Sequence, residues 1–405
     1  MDALDIIANL QYVVPYYQAI FSADEHRVIG YEVLGRYKTE DQVNSLGPFF
    51  HDETIPEEFR LEVDETVTKK ALDHFLANGD EKLLIFLNRD ANLLMLDRAE
   101  SFLTLLFQYE EKGLALDRIV LEINEKHFRG NLDQLSHLLT YIRTYGIRVA
   151  LDNIGEHSSN LERISLLAPD ILKMDLRELR KTSASYSYQD VLYSISLLAR
   201  KIGATLLYED IEASFQLQYA WRNGGRYYQG YYLAEPKPEL LPAEFLKERL
   251  RDECHQFIQQ EKKKLQTLYN ISEQFQQRLT ALLAKHKKAI DFNELIATIA
   301  NELGDVCFRV YVCDEDGFQR SANIFKRNNM WEIQPEYYMK NWSWRPYFLE
   351  NIIRMRSRKR GILSDLYADI ETGETIRTYS YPMDERHYLF IDLSYSYLFE
   401  QDAHY

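Results

Sequence analysis

The chain has 405 residues, of which 46% are hydrophobic and 27% charged, a composition that predicts folded domains rather than extended disorder. Its formal net charge of -15 argues against a broad binding surface for a nucleic acid polymer or an anionic membrane. We expect no membrane insertion and a cytoplasmic location, because no apolar run is long enough to cross a bilayer and no basic, cleavable leader is recognisable. The cysteines Cys254, Cys307 and Cys313 form no CxxC pair, so neither a disulfide scaffold nor a zinc site is indicated.

Short β-rich runs alternate with longer amphipathic stretches in the first part of the chain. The helical stretch at 56–79 begins with proline and ends with glycine, and similar periodic stretches occupy 131–146 and 188–203. Strands that alternate with helices predict right-handed βαβ units and a parallel sheet. The predicted strands are 13–21, 28–36, 82–88, 118–124, 147–153, 170–175, 204–209 and 229–234.

These runs come close to the pattern of a TIM-type (β/α)8 barrel, although periodicity alone also fits a doubly wound open sheet. The position of polar residues favours the barrel, because the carboxyl ends of barrel strands meet at one mouth. Several buried acids at that mouth would cost heavily in desolvation unless a cation or a substrate offsets their charge. The polar residues within or at the ends of separate strands are Glu32, Asn88, Glu122, Asp152, Asp175 and Glu209.

After residue 238 the pattern changes to a long, highly charged helical stretch, followed by a smaller unit. That unit contains a predicted helix at 294–304, a strand at 307–317 and two further strands around 376–383 and 387–395. The helical stretch connects two domains and could carry a dimer contact. The predicted division is a barrel at 1–245, a helical linker at 246–290 and a small α/β domain at 291–405.

The segment GYEVLGR at 30–36 resembles the signature that names the EAL family of cyclic di-GMP phosphodiesterases, with Val33 where alanine is usual. The resemblance extends over roughly residues 10 to 240, in matching order and spacing. It implies a TIM-type barrel, cyclic di-GMP as the ligand, and magnesium, manganese or calcium as cofactor. The further matching segments are YYQAI (16–20), FLN (86–88), LEINE (121–125), ALDN-IG (150–155), ILKMD (171–175), YEDIE (208–212) and QGYYLAEP (229–236).

The resemblance also implies roles for individual residues. A first metal would be bound by Glu32, Asn88, Glu122 and Asp152. Asp152 would bridge to a second metal, whose other ligand comes from the next position, here Asn153. Lys173 would orient water or stabilise charge near the phosphate, and Glu209 would act as general base or metal partner. The nucleotide-binding positions would be Gln18, Arg36, Asp175 and Gln229, with Glu125 and Glu212 in support.

The sequence departs from the family pattern next to the metal ligands. Active members carry two consecutive aspartates and a loop of the form DDFGTGYSS, whereas residues 152–160 read DNIGEHSSN. Asn153 removes one charge from the second metal site, and one charge at 4 Å is worth about 4 kcal/mol at an effective dielectric near 20. Tyr208 and Asp210 also stand where the usual AEGVE has small residues.

Three functions remain open from these residues. The first is a cyclic di-GMP receptor with weak or absent hydrolysis, which the intact first-metal positions and the degraded second-metal positions favour. The second is an active metal-dependent phosphodiesterase that produces linear pGpG. The third, a scaffold that binds no nucleotide, would make the retained metal ligands vestigial.

The C-terminal segments at 341–348, 362–382 and 387–395 resemble PAS-like or CACHE-type sensor domains. The resemblance implies a pocket for an unknown small ligand, with contacts from Trp344, Arg345, Tyr347 and Asp365. Trp344 and Tyr347 would equally fit a hydrophobic core. We expect this domain to sense an internal cue or to support a homodimer.

Overall fold

A computed structural model describes the chain in seven ranges, 3–124, 128–154, 161–180, 186–285, 291–345, 348–394 and 396–397, without the side chains of Asn153, Tyr186 and Ser187. The chain divides into two compact units, Met1–Phe257 and Ile258–Tyr405. The division into barrel, linker and small domain inferred from the sequence stays a prediction, and each unit is described by itself.

Eight strands of the first unit close into a ring, which confirms the predicted barrel. The order around the ring is β1-β9-β8-β7-β6-β5-β4-β2 and back to β1, and β3 extends the sheet from β2. The strands are β1 (Val13–Ser22), β2 (Val28–Lys38), β3 (Val43–Ser45), β4 (Leu84–Arg89), β5 (Ile119–Ile123), β6 (Arg148–Ile154), β7 (Ile171–Asp175), β8 (Thr205–Glu209) and β9 (Tyr227–Tyr228).

The prediction of a parallel sheet is wrong for β1. This strand runs antiparallel to both of its neighbours in the ring, β2 and β9. The reason is its connection to β2, because residues 23–27 are too few for the crossover that a parallel pair requires. From β2 through β9 the ring is parallel.

The helical stretches predicted at 56–79, 131–146 and 188–203 are present in the first unit, which also has helices that were not predicted. Helix α6, for example, buries residues at three- and four-residue spacing, namely Leu135, Leu138, Leu139 and Ile142. The helices are α1 (Ala3–Ala8), α2 (Gly47–His51), α3 (Glu57–Asn78), α4 (Ala91–Leu96), α5 (Glu100–Glu111), α6 (Leu132–Arg143), α7 (Leu161–Leu167), α8 (Tyr186–Ile202), α9 (Ser214–Arg222) and α10 (Lys247–Lys285), the last of which continues into the second unit.

The inside of the barrel has an apolar floor and a polar mouth. Side chains alternate between the two faces of a strand, so residues two apart point the same way. Five strands carry a polar residue two positions after their floor residue, namely Asn88, Glu122, Asp152, Lys173 and Glu209. The floor is a separate buried cluster of Ile20, Ile29, Leu84, Phe86, Val120, Ala150, Ile171 and Leu207.

The predicted strand at 229–234 is wrong. The strand β9 ends at Tyr228, and the chain then turns, with the amides of Leu233 and Ala234 donating to the carbonyl of Gly230. Gly230 has a φ of 151°, and a Cβ there would lie 2.1 Å from the carbonyl oxygen of Ile211. The close approach of these two backbone segments requires glycine and ends the strand.

The second unit is built on an antiparallel sheet of order β12-β11-β10-β16-β15-β13, and β14 pairs with β15. The predicted helix at 294–304 and the three predicted strands are present, whereas the hairpin of β11 and β12 and the last helix were not predicted. The elements are α11 (Phe292–Glu302), β10 (Cys307–Asp314), β11 (Asn323–Arg327), β12 (Met330–Gln334), α12 (Phe348–Arg358), β13 (Ile362–Leu363), β14 (Tyr367–Ala368), β15 (Thr375–Pro382) and β16 (His387–Leu393). All three cysteines are buried free thiols.

Candidate functional site

The strand register places the predicted site residues side by side at the barrel mouth. Gln18 of β1 lies opposite Glu32 of β2, and Asn88 of β4 lies beside Glu122 of β5. Asp175 of β7 and Glu209 of β8 are likewise paired across neighbouring strands. Side chains far apart in sequence therefore meet because the ring closes.

The ammonium group of Lys173 lies at the centre of this cluster. Its Nζ donates to Glu32 Oε2 at 2.9 Å and to Glu122 Oε1. Two further carboxylates are close, with Asp152 Oδ1 at 3.5 Å and Glu209 Oε2 at 3.2 Å from Nζ. Lys173 is only 1% exposed, and in the register of β7 and β8 it pairs with Leu207, two residues before Glu209.

Amide side chains link the cluster to the first strand. Gln229 Nε2 donates to Glu32 Oε2 at 2.7 Å and to Gln18 Oε1 at 3.1 Å. Asn88 Nδ2 donates to the other oxygen of Glu32 at 2.9 Å. Glu32 therefore accepts hydrogen bonds from three side chains, which fixes the orientation of its carboxylate.

Burial and charge act in opposite directions on these groups. Burial raises the pKa of Glu122 well above its usual range, and the charges of Glu32 and Asp152 add to this, while Lys173 opposes it. Burial and the charge of Asp152 raise the pKa of Glu209 in the same way. For Glu32 burial is outweighed by Lys173 and by the hydrogen bonds it accepts, which lower its pKa. Burial alone would lower the pKa of Lys173, but the surrounding carboxylates raise it well above its usual range.

The donor set fits a hard divalent cation in charge and in ligand type. Four carboxylates face one ammonium, so the ionised cluster keeps three uncompensated negative charges. In the described part of the chain, the buried oxygens Glu122 Oε2, Glu209 Oε1 and Gln229 Oε1 accept no hydrogen bond. Carboxylate and amide oxygens are the ligands that magnesium, manganese and calcium prefer.

The side chains do not yet form a cage around a cation. Among the described residues, no three acidic, histidine or cysteine side chains are arranged to hold a metal ion. The carboxylates converge on the ammonium of Lys173 instead.

Other predicted residues contact partners other than Lys173. Arg36 Nη1 donates to the carbonyl of Gly35 at 3.0 Å, and its guanidinium lies over the ring of Tyr16. Glu212 pairs with Arg180. Glu125, the side chain of Asn153, the loop at 155–160 and Tyr347 lie outside the described residues.

Sequence reasoning missed the partner of Asp175. The buried carboxylate of Asp175 accepts from the backbone amide of Arg177 at 2.7 Å and from its Nε at 2.6 Å. The same guanidinium lies 3.1 Å from Asp210 Oδ2. An arginine two residues after a strand-end aspartate was the available signal for this pair.

The second unit contains a narrow cleft with a cavity volume of about 20 Å³. Of the predicted contact residues, Arg345 lines this cleft. Trp344 is 63% exposed, so it does not occupy the core position considered for it, and Asp365 is also exposed. Neither Trp344 nor Asp365 lines the cleft. The cleft is lined by Tyr311, Trp342, Arg345, Phe348, Asn351, Ser364, Tyr367, Thr378, Ser380 and Phe390.

Replacement of Lys173 by methionine should destabilise the barrel by about 3–5 kcal/mol, because it leaves buried carboxylates without their counter-charge. Glu122 and Glu209 have raised pKa values in the folded state, so their contribution to stability is greatest at low pH and is lost as the pH rises through those values. The deficit of Lys173→Met relative to wild type should therefore be smaller at about pH 5.5 than at about pH 8. Urea unfolding of both proteins at each pH, in the presence of a chelator, measures this difference in the free energy of unfolding.

The control for this experiment is Lys69→Met, which removes an exposed lysine whose partner is Glu65 on the same helix. It should leave the free energy of unfolding almost unchanged at either pH. An equal loss for Lys173→Met at both pH values would contradict the charge argument.

Within the described residues, no helix is long and apolar enough to cross a membrane.

The family model for the EAL domain matches residues 4–236, and a model described as an EAL-domain associated signalling protein domain matches residues 240–405.

Relatives of known sequence and structure agree with these matches. The EAL-domain containing protein YkuI of Bacillus subtilis is 60% identical over 406 residues, covering 100% of this chain and 99% of its own length. The cyclic di-GMP phosphodiesterase NbdA of Pseudomonas aeruginosa is 28% identical over 236 residues, covering 57% of this chain and 30% of NbdA. A crystal structure of YkuI in complex with the substrate c-di-GMP and calcium superposes with a TM-score of 0.94 at 59% identity and covers 99% of each chain. A family model that spans the barrel, together with a relative that is 60% identical from end to end, establishes that this chain belongs to the EAL-domain family.

Proposed function

We propose that the barrel binds cyclic di-GMP together with a divalent cation and hydrolyses it weakly or not at all. The observation that carries the proposal is the convergence of four carboxylates on Lys173 at the barrel mouth, with an uncompensated negative charge. The complex of YkuI with c-di-GMP and calcium supports it, because that protein is 59% identical to this chain over almost its full length.

In this proposal Glu32, Asn88, Glu122 and Asp152 hold the cation, which neutralises charge on a phosphate of the nucleotide. Lys173 donates to a phosphate oxygen or to water beside it, from a position that its carboxylate partners fix. Gln229 holds Glu32 in place, and Gln18 in turn accepts a hydrogen bond from Gln229. Arg36, on β2, supplies a positive group in addition to Lys173 and contacts the other nucleotide of the ligand.

In this proposal Glu209 accepts the proton of an attacking water. Burial raises its pKa, so it depends on the charge of Lys173 and of the bound cation to be ionised near neutral pH. Asn153 provides no negative charge for a second cation, and this loss makes the hydrolytic step the weak part of the site.

Removal of a metal-facing carboxylate should weaken nucleotide binding without unfolding the barrel. We expect Asp152→Asn to weaken binding of cyclic di-GMP by at least about tenfold, because one charge of the cation site is lost. Calorimetric titration of the full chain with calcium, repeated with a chelator, measures both the nucleotide and the cation requirement.

The matched control is Asp133→Asn, which removes one exposed charge from α6 on the outside of the barrel. It should bind like the wild type. A wild-type chain that fails to bind cyclic di-GMP with calcium or magnesium would overturn the proposal in favour of a scaffold.

Restoration of the missing acid tests the second half of the proposal. Asn153→Asp should raise the rate of conversion of cyclic di-GMP to linear pGpG at least about tenfold, because it returns an anionic ligand to the second metal position. Chromatography of the product in magnesium or manganese measures the rate. Robust turnover by the wild type, unchanged by the substitution, would identify an active phosphodiesterase instead.

For the second unit we propose a PAS- or CACHE-like sensor role, a small ligand in the cleft beside Arg345, and homodimer formation. The match to an EAL-domain associated signalling protein domain supports a signalling role. A cytoplasmic location belongs to the same proposal, since the ligand is an intracellular messenger. The dimer is supported by exposed apolar residues on one face of α10, Ile258, Leu265 and Tyr269, spaced by seven and four residues.

A charge placed on this helix face should separate the dimer. Leu265 is 62% exposed, and Leu265→Glu should convert a sedimenting dimer of the full chain to monomer because it brings two like charges together. Lys263→Glu, a change at an exposed position on the opposite side of the same helix, is the control. A monomeric wild type at micromolar concentration would contradict the dimer.

A further inference from the structure

Asp210 occupies a backbone position whose conformation favours glycine. Its φ is 54°, in the left-handed region, and the family pattern at 208–212 has glycine there. An aspartate at such an angle costs conformational energy relative to glycine, although it is among the few residues that tolerate it. The backbone conformation at this position therefore does not require a carboxylate, and the side chain of Asp210 needs another explanation.

The added carboxylate is held against a guanidinium group. Asp210 Oδ2 lies 3.1 Å from Arg177 Nε, and that Nε is also bound at 2.6 Å by the buried Asp175. Asp210 and Arg177 are 42% and 43% exposed, so both present polar surface to the solvent above the barrel. Within the described ranges, no protein donor bonds to Asp210 Oδ1.

The pair lies on the rim of the cluster around Lys173. Arg177 follows the end of β7 by two residues and Asp210 follows the end of β8 by one, and these strands are neighbours in the ring. Glu209, which approaches Lys173, is the residue immediately before Asp210. Arg36 is on β2, four strands from β7 in either direction around the ring, so the two arginines are on opposite sides of the mouth.

The two side chains complement the edge of a guanine base. Guanine presents two donors, N1–H and the 2-amino group, beside two acceptors, O6 and N7. A carboxylate accepts from the donors, and a guanidinium donates to the acceptors. A phosphate would be a poorer partner, because Asp175 and Asp210 together outweigh the single charge of Arg177.

We propose that Asp210 and Arg177 read the edge of one guanine of the bound cyclic dinucleotide, with Asp210 accepting from its 2-amino group. The inference rests on the proposed function, because it requires the nucleotide at the barrel mouth. A base joined through its ribose to a phosphate beside Lys173 lies over the adjacent ends of β7 and β8. Asp210 is thus a specificity-determining residue, and Asp175 positions Arg177.

The test compares cyclic di-GMP with cyclic di-IMP, in which hypoxanthine lacks only the 2-amino group. With calcium present, the full-length wild type should bind cyclic di-GMP about tenfold more tightly, since one charge-assisted hydrogen bond distinguishes the two. Asp210→Gly should reduce that ratio to about one by weakening only cyclic di-GMP. Glycine suits the φ at this position, so the variant is expected to fold, and circular dichroism verifies it.

The following results would contradict the proposed roles of Asp210 and Arg177. A wild-type ratio near one, a ratio that survives Asp210→Gly, or an equal loss for both nucleotides would overturn the role of Asp210. Arg177→Ala should weaken both nucleotides, because hypoxanthine keeps O6 and N7, and unchanged affinities would overturn the role of Arg177. Asp133→Asn controls for loss of one charge and should keep the wild-type ratio. Failure of the wild type to bind either nucleotide would instead overturn the proposed function itself.

Discussion

The ammonium of Lys173 is the interaction on which the arrangement of the barrel mouth depends. A lysine that is 1% exposed needs anionic partners, and four carboxylates from β2, β5, β6 and β8 supply them. Those partners can reach it only because the eight strands close into a ring. The charge cluster and the closed barrel are therefore two aspects of one constraint.

The apolar floor gives this cluster its chemical character. Ile171 and Leu207 belong to the apolar layer beneath the mouth, and Lys173 is itself almost fully buried. In such surroundings each charge interacts more strongly than in water, and each uncompensated charge is also more costly. The surplus of carboxylates is consequently an unfavourable arrangement for the protein alone and a favourable one once a cation enters. A site of this kind couples the affinity for metal to the affinity for a phosphate that shares it.

The positions of the site residues could be predicted from the sequence because polar residues stand within or at the carboxyl ends of separate predicted strands. Glu122, Asp152 and Glu209 were found in this way, each two residues beyond an apolar floor residue. The convergence on Lys173 could not be predicted, since it depends on the level of that residue relative to Leu207 in the next strand. Family resemblance supplied the roles, which remain proposals.

The errors of the sequence reading have separate physical causes. The direction of β1 depends on the length of one connection, and the end of β9 depends on a backbone contact of Gly230 that no local pattern contains. The hairpin of β11 and β12 was missed although its turn was visible. Asn328 and Asn329 both have positive φ values, as a two-residue hairpin turn requires, and asparagine is the residue after glycine that best tolerates them.

Two departures from the family pattern have opposite effects on charge at the barrel mouth. Asn153 lacks the negative charge of the usual aspartate at the end of β6, whereas Asp210 adds one after β8, where glycine is usual. The number of carboxylates near the mouth is thus preserved, but one has moved from the position that serves the reaction to the rim beside Arg177. In the role proposed for Asp210, a charge at the rim contributes to recognition of the ligand and adds nothing to activation of water. Together with the proposed loss of the second cation at Asn153, this change favours discrimination between ligands over turnover, which is the balance that a receptor requires and an enzyme does not.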